Sequence, residues 1–181
     1  GYTASISTTN NDGLYFGTVA ATNFSALPTT RMQINENGYV TTAYQPSAIR
    51  QVAGGGIVNL NSNGQYYRLS FTNQHRDAGS MYSVHSGGGS KFTAPIAGVY
   101  FFSCVIRVDD FSGSYLYLDA RINGTTRARN LSSNTGNYLS YEVAGTYYLG
   151  AGDYFTFEIA NSGDSSVDVD DSSMVYIHLL G

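Results

Sequence analysis

The sequence predicts an all-β fold. Helical periodicity is nearly absent, and short runs of alternating apolar and polar residues are separated by Gly, Asn, Asp and Ser. Gly64, Gly113 and Gly124 fall where turns between such runs are expected. Residues 49–181 are therefore expected to form a β-sandwich head, clearest from about residue 65 onward, and residues 1–48 a β-rich neck.

The neck is rich in Thr, Ser, Asn and Ala, and its alternation is weak. Residues 31–40 are predicted to form a hairpin around Asn37 and Gly38, because Asn-Gly is a strong two-residue turn signal. An isolated hairpin is marginally stable in water, so this one is expected to assemble with other copies of itself. Residues 53–56, Ala-Gly-Gly-Gly, are expected to give flexibility between neck and head.

The clearest strand covers residues 98–108. One of its faces is apolar throughout and carries Tyr100, Phe102, Cys104, Ile106 and Val108. The other face is half apolar and carries Val99, Phe101, Ser103, Val105 and Arg107. Such a strand is expected to be covered on both sides, and in a two-layer sandwich the second cover must come from another subunit. The pattern therefore predicts an oligomer.

The later runs repeat this alternation. Apolar residues recur at every second position in residues 116–122, which end in the turn Asn123-Gly124, and again in residues 139–143 and 154–159. In the last run, residues 174–180, both faces are largely apolar. That strand is expected at the centre of a sheet or against a partner chain.

Composition excludes several classes of partner. Charged residues make up 12% of the chain, the net charge is −4 and no basic stripe is present, so binding of nucleic acid through its phosphates is not expected. No apolar run approaches the roughly 18 residues of a membrane span, so membrane insertion is not expected either. Cys104 is the only cysteine and is interpreted as a small core residue. The chain begins with Gly1 rather than Met, and we expect it to follow an upstream segment.

No catalytic motif is visible. His75, His85 and His178 fall on different runs, and nothing pairs a nucleophile with a base. Asp109 and Asp110 are adjacent, and side chains of adjacent residues at a strand end diverge, which is unsuitable for a glycosidase pair. The sequence therefore predicts a protein that is not an enzyme.

Residues 161–171 are the most acidic segment and are predicted to form a loop. Oxygen-rich loops suit calcium, so Asp168, Asp170 and Asp171 are a candidate calcium site. The alternative interpretation is a solvated loop that keeps this end of the protein soluble. No other cofactor is expected.

A receptor-binding surface is predicted from two segments. Residues 130–137 are expected to lie at the same end of the sandwich as the acidic loop, and loops on a rigid scaffold commonly carry recognition. Tyr138 can stack on sugar rings, because its ring packs against C–H groups while its hydroxyl stays hydrated. The candidate contact residues are Asn134, Tyr138, Asp164 and Asp168.

The head resembles a known family. Residues 91–102, Lys-Phe-Thr-Ala-Pro-Ile-Ala-Gly-Val-Tyr-Phe-Phe, are similar to the signature of the globular head of complement C1q and its relatives in the tumour-necrosis-factor superfamily. Three further markers follow in order: Ile-Asn-Gly at 122–124, Leu-Gly-Ala-Gly-Asp at 149–153, and the apolar ending at 177–181. The last strand departs from the family pattern, because residues 175–178 stand where the family commonly has Phe and Gly before a leucine pair.

This resemblance covers roughly residues 57–181. It implies a C1q/TNF-like jelly-roll sandwich that forms a homotrimer about a threefold axis and binds a ligand without catalysis. Some relatives bind calcium near the apex of the head, where the resemblance places the acidic loop.

The neck carries a second resemblance. Residues 31–41, followed by Tyr-Gln-Pro at 44–46, are similar to a segment common in bacteriophage tail fibres, where such a hairpin precedes a trimeric tip. The two resemblances together predict the trimeric tip of a virion tail fibre, joined to an upstream fibre shaft. Its partner would be a host surface glycan, polysaccharide or lipopolysaccharide, or a protein receptor. The alternatives are a secreted or structural C1q-like protein-binding module and a polysaccharide-cleaving enzyme.

Overall fold

The computed structural model describes residues 2–9, 13–20, 29–34, 37–42, 45–60, 64–133, 136, 138–164 and 167–180. All regular secondary structure in these residues is β, which confirms the predicted fold class. The chain forms two compact units, Gly1–Gln45 and Pro46–Gly181. Within the described residues no helix has the length and apolar character needed to cross a membrane.

The first unit is a four-stranded antiparallel sheet. Its strands follow one another in chain order: β1 (Tyr2–Thr9), β2 (Gly13–Ala20), β3 (Thr29–Ile34) and β4 (Val40–Thr41). Strands β3 and β4 pair through Ile34 and Val40, so the connection between them spans residues 35–39 and is longer than a two-residue turn. Gly38 in this connection has a φ of 80°, a backbone conformation that favours glycine.

The second unit contains the remaining strands. They are β5 (Ser47–Gln51), β6 (Ile57–Leu60), β7 (Tyr67–Arg68), β8 (Asn73–Ala78), β9 (Tyr82–Val84), β10 (Ser90–Thr93), β11 (Gly98–Asp109), β12 (Tyr115–Ile122), β13 (Thr125–Ser132), β14 (Leu139–Leu149), β15 (Tyr154–Ser162), β16 (Val167–Val169) and β17 (Met174–Leu179). Strand β5 starts before residue 49 and pairs with β17 and β8 inside this unit.

Two antiparallel sheets form the sandwich. The six-stranded sheet has the order β13-β12-β15-β10-β9, and β7 pairs with β15 beside this path. The seven-stranded sheet has the order β6-β16-β11-β17-β5-β8, and β14 pairs with β11. Apolar side chains from the facing surfaces of both sheets form one continuous core. This arrangement is what strict alternation along each strand requires.

An aromatic cluster joins the two sheets at the centre of the core. The ring of Phe157 lies 6.2 Å from that of Phe102 and 6.3 Å from those of Phe71, Phe92 and Phe155. Phe102 belongs to the seven-stranded sheet, and Phe92, Phe155 and Phe157 belong to the six-stranded sheet. Burial of each such ring contributes about 1.5–3 kcal/mol, so the cluster is a major part of what fixes the two layers together.

The predicted inner faces are confirmed by burial. All five residues assigned to the inner face of β11 are buried, and so are Val175, Ile177 and Leu179 of β17. Strand β17 lies between β11 and β5, inside the sheet as its apolar faces predicted. Cys104 is fully buried, and this burial, with a smaller contribution from Glu142, holds its pKa well above its usual value.

The acidic segment differs from the predicted loop. Its middle part is strand β16, which pairs with both β6 and β11. Val167 and Val169 are fully buried in the core, and Asp168 lies between them. The alternation Val-Asp-Val was the signal for a short strand. The surrounding Asp, Ser and Gly residues are typical of a loop, so the sequence favoured a loop over a strand here.

Candidate functional site

The residues predicted to bind a receptor lie near one end of the sandwich. Strands β13 and β15 both pair antiparallel with β12 and so run toward the same end. Strand β11 ends there too, because Ser112 after it bonds to Asp164 after β15; we call this end the loop end. A backbone bridge between Phe111 and Gly136 ties the connections after β11 and β13 together. Tyr138, Asp164 and Asp168 are all at this end, whereas Asn134 lies outside the described residues.

Tyr138 is fixed by an arginine. It has a φ of 61° and is 66% exposed, and the guanidinium carbon of Arg107 lies 4.5 Å from its ring centroid. Arg107 also donates to Asp109, with Nε 3.3 Å from Oδ1, and its Nη2 is 3.8 Å from a carboxylate oxygen of Asp170. One arginine therefore links the exposed tyrosine to the acidic residues of the loop end.

The Asp164 side chain is hydrogen-bonded to a neighbouring connection of the chain. It is buried, and its carboxylate accepts hydrogen bonds from the backbone N–H and the hydroxyl of Ser112, at 2.7 and 2.9 Å. These bonds hold the segment after β15 against the β11–β12 connection. The side chain therefore presents little surface to a ligand, and its role in receptor binding stays a prediction.

A depression of about 250 Å³ lies beside the acidic residues. Its lining consists of Gly55, Gly56, Asp109, Asp168, Val169, Asp170 and Asp171. Hydrogen bonds from Ser172 lower the pKa of Asp170, burial opposes this shift, and Arg107 adds to it. Within the described part of the chain, no three His, Cys, Asp or Glu side chains are grouped as a metal site. The positive charge of Arg107 already compensates Asp109 and Asp170. Calcium binding at Asp168, Asp170 and Asp171 stays a prediction.

A row of opposite charges crosses the six-stranded sheet on the side away from the core. Directly paired backbone positions place Arg129 beside Asp119, Asp119 beside Glu158, and Glu158 beside Arg68. Arg121 connects the two acids, with Nη1 3.0 Å from Glu158 and Nη2 3.5 Å from Asp119. We call these five residues the charge row.

The two acids of the charge row are buried, and Asp119 is held in its ionised form. Burial alone would raise the pKa of Asp119, but hydrogen bonds from Arg129 and Thr126 and the charges of Arg129 and Arg121 outweigh it, so its pKa lies below the usual value. The same contact with Asp119 raises the pKa of Arg129. The row is thus an ordered network in which three arginines share two carboxylates.

Tyr66 lies over the charge row. The guanidinium carbon of Arg121 is 4.1 Å from its ring centroid, and Arg129 donates a hydrogen bond to its hydroxyl. A ring held by two cations in this way has little freedom to reorient. The residue is nevertheless 40% exposed, so part of it remains open to solvent.

The hairpin loop between β9 and β10 lies beside Tyr66. It contains Gly87, Gly88 and Gly89, and together with Tyr66, Tyr67 and Arg68 these glycines line a depression of about 330 Å³, which we call the tyrosine–glycine depression. Gly89 has a φ of 74°, and a Cβ there would lie 2.6 Å from the Cγ of Arg68. Only glycine fits this close approach, so the glycines both shape the loop and keep the depression open.

His85 fastens the glycine loop to Arg68. Its Nδ1 accepts hydrogen bonds from the Gly87 backbone N–H at 3.0 Å and from Arg68 Nη1 at 2.9 Å. Both partners are donors, so Nδ1 carries no proton and the imidazole is neutral. Burial first, and then the charges of Arg68 and Lys91, lower the pKa of His85 below its usual value of 6.5, while Glu158 opposes the shift.

The stability of the second unit is expected to fall when the pH drops below about 6.5. The unfolded chain binds a proton at His85 more readily than the folded chain, because the folded pKa is lower. The stabilising contribution of neutral His85 is therefore complete above the unfolded pKa and is lost as the pH falls through the folded pKa. Urea unfolding at pH values between about 7.5 and 5.5 measures this loss.

The matched variant is His85→Gln, whose side-chain oxygen can accept the same two bonds and does not titrate. The variant should lose less stability over the same pH interval. His75 and His178 remain in both proteins, so they cancel in the comparison. An identical pH dependence in both proteins would show that the described bonds to His85 do not control it.

A third surface is the outward side of the seven-stranded sheet, which we call the open face. Its apolar side chains come from four adjacent strands and are Ile49, Val99, Phe101, Val105, Tyr148, Met174 and Tyr176. Paired backbone positions place Val99 beside Tyr148, Val105 beside Met174, and Ile49 beside Tyr176. Tyr148 is 64% exposed. Few charges interrupt them: Glu142 is bonded to Ser103, and the ring of Phe101 packs on His178 at 5.1 Å. The predicted second apolar face of β11 thus lies on the surface of the single chain.

Sequence reasoning found the open face but missed the charge row and the tyrosine–glycine depression. Asp119, Arg121 and Glu158 occupy outward strand positions, and the alternation along each strand assigned them no role. The available signal was that Asp119, Arg121 and Arg129, which have opposite charges, lie on two consecutive strands, β12 and β13. The Gly-Gly-Gly run at 87–89 marked a loop without indicating what it faces.

Comparison with known proteins supports the jelly-roll fold. No protein-family model matches the chain, and no curated protein sequence matches it. Solved structures do match. The globular domain of zebrafish complement 1qA protein superimposes with a TM-score of 0.51 at 18% sequence identity, covering 76% of this chain and 98% of that domain. The Eiger TNF structure from S. frugiperda gives a TM-score of 0.54 at 14% identity, covering 76% of this chain and 93% of that one. The C1q/TNF-like jelly-roll fold predicted for the head is therefore confirmed.

Proposed function

We propose that the chain is the homotrimeric tip of a phage tail fibre, which attaches to a host surface polysaccharide or lipopolysaccharide and carries out no catalysis. The observation that carries the proposal is the open face. An exposed apolar surface that spans four strands marks an interaction site in a soluble protein. Two further copies of the same face would cover it and complete a trimer.

The composition of the open face fits association between identical chains. Aromatic and Met side chains with few charges are typical of interface centres. Two of its polar side chains, Ser103 and Glu142, are already bonded to each other. Burying this face therefore removes apolar area from water and leaves few groups unpaired.

The positions of the chain ends of the head support attachment at the loop end. Ser47, at the start of the head, pairs with His178 near the end of β17, and both lie at the opposite end from the loop end. The point at which the chain enters the head is therefore separate from the loop end. In a trimer three loop ends act together, which raises the effective affinity by on the order of a hundredfold or more over a single site.

The surface chemistry supports a polysaccharide as the receptor. With 12% charged residues, one lysine and 16 tyrosines, the chain offers hydroxyl groups and aromatic rings in place of strong electrostatic attraction. Such groups suit a ligand rich in hydroxyls and C–H patches. The neck similarity described above supports location on a virion, outside the host cell.

The proposal is tested with the purified chain by light scattering and by binding to immobilised bacterial O-polysaccharides and capsular polysaccharides. The expected result is a mass three times 19.5 kDa and saturable binding to at least one preparation. A monomer at micromolar concentration, or a trimer that binds none of the preparations, would refute it.

The second candidate is a secreted or structural C1q-like module that binds protein ligands. The likeness to the complement 1qA domain favours it, although a likeness at 18% identity shows the fold alone. The same mass measurement applies to both candidates. Binding that survives enzymatic removal of glycans from the ligand, but not digestion of its protein, would favour this second candidate.

A further inference from the structure

The geometry points to a saccharide-binding site in the tyrosine–glycine depression, distinct from the loop end and from the open face. We infer that it takes one uncharged sugar unit of a surface polysaccharide. The inference rests on the proposed function, because it names a site for the proposed class of receptor. It assigns this role to six residues: Tyr66, Tyr67, Arg68, Gly87, Gly88 and Gly89.

The size and lining of the depression suit a sugar. Small-molecule sites enclose about 300–1,000 Å³, and the depression, with about 330 Å³, is at the lower end of that range. Two tyrosines supply ring surfaces for C–H groups and hydroxyls for hydrogen bonds. The three glycines present bare backbone, so a ligand can approach the main chain without meeting a side chain.

The electrostatics argue for an uncharged ligand. Arg68 donates through Nε at 3.1 Å and Nη2 at 2.9 Å to one oxygen of Glu158, and through Nη1 to His85 and the carbonyl of Gly88. Its donors thus point to protein acceptors, and Glu158, which it shares with Arg121, partly compensates its charge. A phosphate or carboxylate ligand would have to compete with Glu158 for this arginine, whereas a neutral hydroxylated ring would not.

The depression is also preorganised. Tyr66 is held by Arg121 and Arg129, and the glycine loop is held by His85 and Arg68. A site whose side chains are already ordered loses little conformational entropy when a ligand binds. The charge row therefore gains a role in binding. Its members Arg121 and Arg129 position Tyr66 for the sugar, and Glu158 positions Arg68.

The first test compares two variants with the wild-type trimer on the immobilised bacterial polysaccharides. Tyr67→Ala removes a ring that is 42% exposed. Gly88→Asn places a side chain where no atom lies within 4 Å, at a φ of 84° that Asn tolerates. Each should weaken binding by about tenfold or more, the effect of losing a central contact. Tyr39→Ala, which removes an exposed tyrosine of the first unit, should bind as the wild type does.

A fluorescence experiment locates the ligand directly. The chain contains no tryptophan, so Tyr67→Trp introduces a single reporter in the depression and Tyr39→Trp a single reporter in the first unit. Addition of a bound polysaccharide should shift the emission of the first variant and leave that of the second unchanged. A shift only in the Tyr39→Trp protein, or in neither, would overturn the assignment.

The outcomes separate this inference from the proposed function. A trimer that binds polysaccharide equally well with and without Tyr67→Ala and Gly88→Asn keeps the proposed function and overturns the site. A monomeric wild type, or a trimer that binds no preparation, overturns both. Circular dichroism melting of each variant shows that a loss of binding is not a loss of folding.

Discussion

Phe101→Asp is expected to convert the proposed trimer into a folded monomer, lowering the solution mass from three times 19.5 kDa to 19.5 kDa. Phe101 lies on the open face between Thr146 and His178. In the single chain the new carboxylate reaches water, so the sandwich should fold. In the trimer each copy would bury an unpaired charge, which costs on the order of several kcal/mol per charge. Three such charges would oppose association.

The matched control is Val84→Asp. Val84 is an apolar residue of β9 in the six-stranded sheet and is 68% exposed, so the substitution adds the same charge on the opposite layer. The control should remain a trimer with unchanged melting. Light scattering at several concentrations measures both proteins. If Phe101→Asp stays trimeric, the open face is not the interface.

Loss of the trimer has a second expected result. A monomer retains each individual binding site but loses their simultaneous engagement, so its apparent affinity for immobilised polysaccharide should fall by on the order of a hundredfold. Its affinity for a soluble oligosaccharide should stay the same. Equal losses for both ligands would indicate that the substitution damages the site itself.

Asp119→Ala is expected to reduce the free energy of unfolding by about 1–3 kcal/mol, because Arg129 and Thr126 lose their buried, charged hydrogen-bond acceptor. Asp119 is fully buried and accepts bonds from Arg129 and Thr126, and Arg121 lies 3.5 Å away. Domains of this kind are typically stable by only about 5–15 kcal/mol. Urea unfolding at a fixed protein concentration measures the loss.

A double-mutant cycle with Arg129→Ala isolates the pair. Neighbouring groups in one network are coupled. The sum of the losses in unfolding free energy of the two single variants should therefore exceed the loss of the double variant. Asp119→Asn, which keeps the volume and removes the charge, should lie between wild type and Asp119→Ala. Additive effects would mean that the carboxylate and the guanidinium stabilise the fold independently, against the geometry described.

Acid is also expected to destabilise the fold by protonating the carboxylate of Asp119. The pKa of Asp119 is lower in the folded chain than its usual value of 3.8, so its contribution to stability is complete above that value. The contribution is lost as the pH falls through the folded pKa. This interval lies below that in which His85 acts, so the two groups can be distinguished by pH alone.

Alternation along single strands was enough to predict the layers of the head. The inner residues of β11 and β17 could be assigned because a strand has a period of two and each run is bounded by turn residues. The charge row could not be predicted in this way. Arg68 and Glu158 are 90 residues apart in the chain and become neighbours only through the pairing of β7 with β15. Nothing local to Glu158 indicates that an arginine will face it.

The acidic segment shows a different cause of error. Local composition favoured a loop at 161–171, yet Val167 and Val169 gain enough burial against β6 and β11 to form a strand. Tertiary packing outweighs local preference most readily for short strands, whose pairing partners are distant in sequence. The consequence for the candidate site is direct, since a paired strand fixes the spacing of Asp168 and Asp170.

The two chain ends of the head lie side by side, and this determines which connections can be altered in length or sequence. The Leu179 backbone N–H donates to the carbonyl of Pro46 at 2.9 Å, so the chain enters and leaves the sandwich at one pole. The connections at the other pole can then lengthen, shorten or be exchanged without moving the point at which the head is tethered. Recognition segments grafted there would be carried by an unaltered framework, which makes this pole the natural place to retarget the protein by design or by mutation.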